Sequence, residues 1–440
     1  MKPRDRSRVG RVHTQHRPVH RSGNRTNSRN NSRNNSRNTS RNTSRNTTRD
    51  NCRATKSTIA PTPKKERKAD ILGKGDLVQL NKLEIKVNNI LGRGGFGQVY
   101  HVQNSENLNQ SAALKIEPQK TGNRLLFESL LLTYIHTSQG GKDHFPLVFR
   151  YGIITVKDTQ YRYCLFQVLG TNLSDLRRQY TKDGKHFEEK TIAHITLQTF
   201  KALWDFHGYG FGHHDVKPQN FVCGRGPHEA RIYLIDYGIG RFCFEGDQYV
   251  RPKTKYHFTG TLKYCPINCH NRRHPDLKDD LESWVYMMFE LYDDTSLMWS
   301  GRDNPEKILR GKKLFLQDCS YAYKRVPQVL GRVVELAGSP EYGKKPNHSA
   351  IYKELEQYYI REKLIPCERV EWQSKHEHLA PFEVPSESLT DEAIQSLKYD
   401  DWDPKNQEKK PLATKRVAAP GKTSDEDNIE QEAKKFSEDE

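Results

Sequence analysis

The middle of this 440-residue chain predicts an α+β fold. Three observations carry that expectation. Residues 83–91 and 98–103 read as strands on either side of a glycine-rich loop. Residues 124–135 read as a helix, with apolar Leu125, Leu126, Leu130, Leu131 and Leu132. Both ends of the chain, in contrast, are too polar to bury a core of their own.

The loop between the strands, Gly92-Arg93-Gly94-Gly95-Phe96-Gly97-Gln98-Val99, is a complete G-x-G-x-x-G-x-V. Glycine lets a backbone close over phosphates where any Cβ would intrude. A dinucleotide-binding turn reads similarly, but it opens a helix, and here a strand follows. Gly92, Gly94, Gly95, Gly97 and Val99 are therefore candidate nucleotide contacts. Next comes Ala112-Ala113-Leu114-Lys115, a short apolar run ending in lysine. Lys115 reaches the α and β phosphates if a carboxylate pins it. Glu128 is the candidate, on the helical stretch, with Leu132 on the same face at i,i+4.

Two later segments bring the remaining chemistry. Gly212-His213-His214-Asp215-Val216-Lys217-Pro218-Gln219-Asn220 is followed by Leu234-Ile235-Asp236-Tyr237-Gly238. Two carboxylates, an amide and a lysine in this pattern suit transfer of a phosphoryl group from a nucleotide on magnesium to a hydroxyl. Asp215 is placed to accept the hydroxyl proton, Lys217 to neutralise the moving phosphoryl, and Asn220 and Asp236 to hold Mg²⁺.

With these motifs in order, residues 82–365 resemble a eukaryotic protein kinase. Gly260-Thr261-Leu262-Lys263-Tyr264-Cys265-Pro266-Ile267-Asn268 resembles the G-T-x-[RK]-Y-x-[SP]-I-N element of the casein kinase I superfamily. Lys278-Asp279-Asp280-Leu281-Glu282-Ser283-Trp284 resembles the R-R-D-D-L-E-S of the same superfamily. Leu169-Gly170-Thr171-Asn172-Leu173-Ser174-Asp175-Leu176 is similar to its hinge and following helix, and Val250-Arg251-Pro252-Lys253 is similar to the tau-tubulin kinase branch.

The resemblance implies a two-lobed protein kinase fold. A small lobe of strands plus one helix would span 82–168, and a mostly helical lobe 169–365, between disordered tails at 1–81 and 366–440. ATP would lie between the lobes, over a hinge at Gln167 and Leu169, with Phe166 guarding the back of its pocket. Asp280 would brace the catalytic loop from below. The activation segment, 236–268, holds Arg241, Arg251, Lys253, Lys255 and Lys263. In the superfamily such cations are associated with acidic or already phosphorylated substrates. Arg251, Lys253 and Lys263 are the candidates here.

Three departures stand out. His214 replaces the Arg of His-Arg-Asp, and a neutral imidazole receives a loop phosphate poorly. Activity independent of loop phosphorylation is expected. Tyr237 replaces the usual Phe after the metal aspartate, and Val285 stands where relatives usually have Gly.

The net charge of +17 suggests a nucleic-acid binder until it is divided. Residues 1–68 carry 20 Lys and Arg against 3 Asp and Glu, which accounts for the whole excess; the other 52 basic and 52 acidic residues cancel. Arginine recurs every fourth position from Arg25 to Arg49 among Asn, Ser and Thr, which are poor helix formers. The arm suits polyanions, whether nucleic acid or acidic protein tails, but lacks aromatics for base stacking. Its Asn-x-Ser/Thr sequons follow no apolar signal segment, and eight scattered cysteines show no framework spacing. An intracellular protein, cytoplasmic or nuclear, without a membrane span is expected. Cys265, Cys269, His270 and His274 offer soft ligands, yet C-x3-C-H-x3-H leaves almost no loop for a zinc site. Past residue 365 the chain is polar, with a basic stretch at 409–416 and an acidic end that would suit a pseudosubstrate.

Together these features give an expected serine/threonine kinase of the casein kinase I type, monomeric, using ATP and Mg²⁺ on protein substrates. Two other readings remain at this stage. One is a pseudokinase scaffold that transfers nothing. The other is a polyanion- or RNA-binding protein led by its arginine arm.

Overall fold

The computed structural model describes residues 69–180, 186–373, 388–389, 391–399 and 414–415. The arginine-rich arm and its polyanion role, the basic stretch at 409–416 apart from residues 414–415, and the acidic end with its pseudosubstrate role lie outside the described residues.

A six-stranded antiparallel sheet comes first. Its strands are β1 (Leu77–Leu80), β2 (Leu83–Arg93), β3 (Gln98–Asn104), β4 (Ser111–Pro118), β5 (Val148–Val156) and β6 (Thr159–Phe166), in the order β1-β2-β3-β4-β6-β5. Helix α1 (Arg124–Thr137) lies between β4 and β5 in sequence and packs on β5 and β6. Strand alternation sorts the side chains onto two faces. Ala112, Leu114 and Ile116 of β4 join Tyr100, Val102 and Leu165 in one apolar cluster. Ala113, between them, faces the other way and joins Cys164 and Phe166 in the main core. Lys115 shares the Ala113 face, which is how an apolar strand delivers one ammonium to a cleft.

The sequence placed the domain boundary at residue 82, and among the described residues the sheet takes in strand β1 before it. β1 pairs with β2, Leu72 is buried, and its backbone N–H donates to Tyr100 Oη at 3.1 Å. A single strand's worth of apolar residues next to the polar arm gave too little signal to be separated from it.

The second part is mostly helical: α2 (Leu173–Tyr180), α3 (Glu189–Gly208), α4 (Ile267–His270), α5 (Leu277–Tyr292), α6 (Pro305–Gln317), α7 (Gln328–Gly338) and α8 (His348–Arg361). Two-stranded ribbons connect them: β7 (Phe211–Gly212) with β10 (Arg241–Phe242), β8 (Phe221–Cys223) with β9 (Ile232–Leu234), and β11 (Phe244–Glu245) with β12 (Gln248–Tyr249). α5 is the central helix. It starts in a capping box: the Asp276 carboxylate accepts from Lys278 N, and Asp279 accepts from Asp276 N at 2.8 Å. Its residues 284–289 are all buried, so it is covered on every side. Val285 is simply part of that core.

Beyond residue 365 the chain still packs. Val370 and Trp372 are buried, and the Trp372 indole donates to Glu229 O at 3.0 Å. β13 (Ser388–Leu389), α9 (Asp391–Tyr399) and β14 (Thr414–Lys415) follow, with β13 and α9 against α1. Among the described residues no helix is long and apolar enough to cross a membrane.

Candidate active site

The glycine loop leaves β2 and returns as β3. Gly97 sits where no side chain fits: a Cβ there would lie 2.2 Å from Ile116 O. In register, Val99 faces Lys115 across β3 and β4, and Lys115 faces Cys164 across β4 and β6. Lys115 Nζ reaches Glu128 Oε2 at 2.6 Å and Asp236 Oδ1 at 3.2 Å. Burial opposes its charge, but Glu128, Asp236 and Glu117 more than restore it, so the ammonium is held well above the ordinary lysine range. Burial likewise pushes the Glu128 carboxyl up, against the pull of Lys115.

The catalytic loop follows β7. Asp215, Lys217, Asn220 and Thr261 form one hydrogen-bonded set. Lys217 Nζ donates to Asp215 Oδ2 and, at 3.2 Å, to Thr261 Oγ1. The Thr261 hydroxyl donates to Asp215 Oδ1 at 3.1 Å. Asn220 Nδ2 donates to Asp215 O at 2.8 Å, which leaves its Oδ1 as the ligating atom. Asp236 adopts a left-handed backbone, φ +66°, and keeps its carboxylate half exposed. The Lys115 ammonium, ahead of opposing burial, holds that carboxyl below the usual range, with Lys217 adding to the pull. Two hard oxygen donors, Asp236 and Asn220 Oδ1, fit a magnesium ion. Thr261 joins the set through its hydroxyl, which sequence reasoning passed over. Its motif was noted, but its hydroxyl was given no role.

Beneath the loop stands Asp280, fully buried. It accepts His213 N at 2.6 Å, His214 N at 2.7 Å and His207 Nε2 at 3.0 Å. Burial works against its charge, yet the His207 hydrogen bond and the histidines around it bring the carboxyl down to about 2. His214, also at φ +66°, has its ring beside Cys243, Nε2 to Sγ 3.6 Å. Burial drives its pKa down to about 3, so the imidazole is neutral. Tyr237 is buried against Phe206 and His213, and its added hydroxyl is satisfied by Leu234 O at 2.5 Å.

At the hinge, Phe166 is buried. Gln167 is tied to Leu147 twice, through its N–H at 2.8 Å and its side-chain oxygen at 3.3 Å. Among the described residues, no backbone hydrogen bond engages Leu169.

The three substrate candidates separate. Arg251 and Lys253 are exposed. Lys263 is drawn into an internal pair with Glu290 at 2.8 Å, a carboxylate that Arg177 also holds at 2.6 Å and Tyr264 at 2.7 Å. An ammonium so engaged is less available to a peptide. Arg241 is likewise used internally, on Val250 O and Pro275 O. At the soft-ligand cluster, a buried cation sits between the would-be metal ligands: Lys312 Nζ lies 3.5 Å from Cys265 Sγ and 3.3 Å from His270 Nε2.

Comparison with known proteins gives three findings. The model of the protein kinase domain matches residues 85–357. The serine/threonine-protein kinase spe-6 of Caenorhabditis elegans is 27% identical over 343 residues, 73% of this chain and 88% of that protein. Two further relatives from the same organism cover less: a putative serine/threonine-protein kinase at 30% identity, spanning 46% of this chain and 60% of its own length, and a putative casein kinase I at 28%, spanning 52% and 65%.

Proposed function

Because the chain belongs to the protein kinase domain family, we propose that it transfers the γ-phosphoryl group of Mg-ATP to serine and threonine hydroxyls of proteins, in the manner of casein kinase I. One observation carries this reading. Glu128, Lys115 and Asp236 form one chain of contacts, Lys217, Asp215, Thr261 and Asn220 form another, and the N–H of Ile235, next to Asp236, donates to Asn220 O at 2.9 Å to join them. The side-chain charges assigned to phosphoryl transfer are thus held together by protein contacts alone, which supports this reading.

Lys115, fixed by Glu128, orients the α and β phosphates. Asp215, held by Thr261 and Lys217, orients the acceptor hydroxyl and takes its proton. Lys217 then neutralises charge on the transferring group. Asp236 and Asn220 would hold the magnesium ion, which supplies charge neutralisation at the phosphates. Val99 and the peptide groups of Leu169 offer the adenine an apolar wall and a hydrogen-bonding edge.

Arg251 and Lys253 present exposed positive charge along the activation segment. They support a preference for acidic or phosphorylated peptides, with Lys263 a lesser contributor while it is paired to Glu290. The test is transfer of labelled γ-phosphate from Mg-ATP to acidic, phospho-primed and basic peptides. Transfer to the first two, lost in Asp236→Asn, is expected. No transfer to any peptide by the parent chain overturns the enzymatic reading, and equal rates on all three overturn the preference.

A further inference from the structure

Helix α1 has a sequence that one sheet cannot satisfy. Leu130, Leu131 and Leu132 are consecutive, so they point about 100° apart and sweep most of the helix circumference. All three are fully buried, as are Leu125 and Ile135. A helix that is apolar on so many sides needs a second cover. β5 and β6 supply the first. The second comes from far along the chain, where β13 and α9 pack on α1. Leu389, Ala393 and Leu397 are buried in the same core as the α1 leucines. Ala393 and Leu397, at i,i+4, share one face of α9, while Leu389 comes from β13.

The last turn of α9 touches more than α1. α9 also packs on β10, at the start of the activation segment. Lys398 Nζ lies 5.4 Å from the Phe242 ring centroid and 6.0 Å from that of Tyr134. Phe242 packs on Phe211 at 5.1 Å, and Phe211 in turn on Tyr134 at 6.4 Å and on Phe127 at 6.3 Å. Phe127 immediately precedes Glu128. One aromatic set thus joins α1, the strand leading into the catalytic loop and the strand after Asp236, and Lys398 caps it.

We propose that Leu397 and Lys398 are positioning residues for phosphoryl transfer, clamping α1 so that Glu128 stays on Lys115. This rests on the kinase reading for its consequence but on packing alone for the clamp. With α9 docked, α1 is held on two sides and the Lys115–Glu128 pair persists. With α9 released, the leucines of α1 face water, the helix shifts to cover them, and the pair is lost for much of the time.

The experiment uses the full chain with Leu397→Glu, Lys398→Met and Lys398→Arg. Turnover, both Michaelis constants and amide hydrogen exchange across residues 124–137 are measured. The first two variants should lower kcat about tenfold with peptide KM unchanged, and speed exchange in α1 while α5 and α7 stay protected. Lys398→Arg, which keeps a cation over the rings, should behave as the parent. Turnover within about twofold of the parent in both disrupting variants overturns the proposal. So does a loss of protection spread evenly through α5 and α7, which would mark a merely structural role. If the parent transfers no phosphate at all, the kinase reading fails, and α1 exchange still decides the clamp: unchanged exchange sinks it.

Discussion

Replacing Asp280 with asparagine tests how the catalytic loop is held. The carboxylate accepts three N–H groups, two of them from the backbone of His213 and His214. Asparagine has one oxygen, so its NH₂ group must face at least one of these donors. Leaving a buried N–H without an acceptor costs about 1–3 kcal/mol. A second route gives a similar figure. The carboxyl is held at about 2 against an ordinary 3.8, a difference worth roughly 2 kcal/mol. A folded-state value below the unfolded one means that this stability is complete above 3.8 and lost as pH falls toward about 2. The two figures overlap, so a loss of about 2 kcal/mol is expected in urea denaturation at neutral pH, and this difference should shrink on acidification as the parent's carboxylate is protonated. Because Asp215 directly follows the held peptide of His214, turnover should fall about 100-fold while ATP binding changes little. A variant with the parent's denaturation midpoint and turnover within about threefold would refute the bracing role.

The remaining predictions follow from single contacts. Gly97→Ala drives a methyl into Ile116 O, so KM for ATP should rise at least about tenfold, read in an ATP titration at fixed peptide. Phosphatase treatment should leave turnover unchanged, since neutral His214 offers no cation to a loop phosphate; abolished activity would contradict this. His214 and His348, pushed by burial to about 3 and about 2 from an ordinary 6.5, should each withdraw about 1.4 kcal/mol of stability per pH unit below 6.5, so the melting temperature should fall steeply toward about pH 5.5. Deleting residues 1–68 should preserve peptide phosphorylation and abolish retention on heparin; lost catalysis would tie the arm to the site.

The chemistry of the site was legible in the sequence wherever one residue type has few alternatives. Glycines beside a strand, a lysine ending an apolar run, and Asp215 with Asn220 each point to a role by type and spacing alone. α1 runs from Arg124, where its pattern begins, and ends two residues past Ile135. What escaped was decided by tertiary partners. Lys263 looks free in sequence, and only the fold brings Glu290, Arg177 and Tyr264 to meet around it. Thr261 sits in a recognised motif, yet its hydroxyl gains meaning only beside Asp215. α9 was hidden by dilution: Ala393, Ile394 and Leu397 are its aliphatic residues in a polar tail, too few to predict a helix before α1 is seen to need covering.

His214 carries a consequence for how the molecule is governed. An arginine in its place would let a single covalent mark couple the catalytic loop to the segment that receives substrate. The uncharged ring beside Cys243 offers no such handle. In the proposed kinase a phosphate on that segment would find no cation at this position, and a mutation seeking to install an on–off control there would first have to make room for a guanidinium.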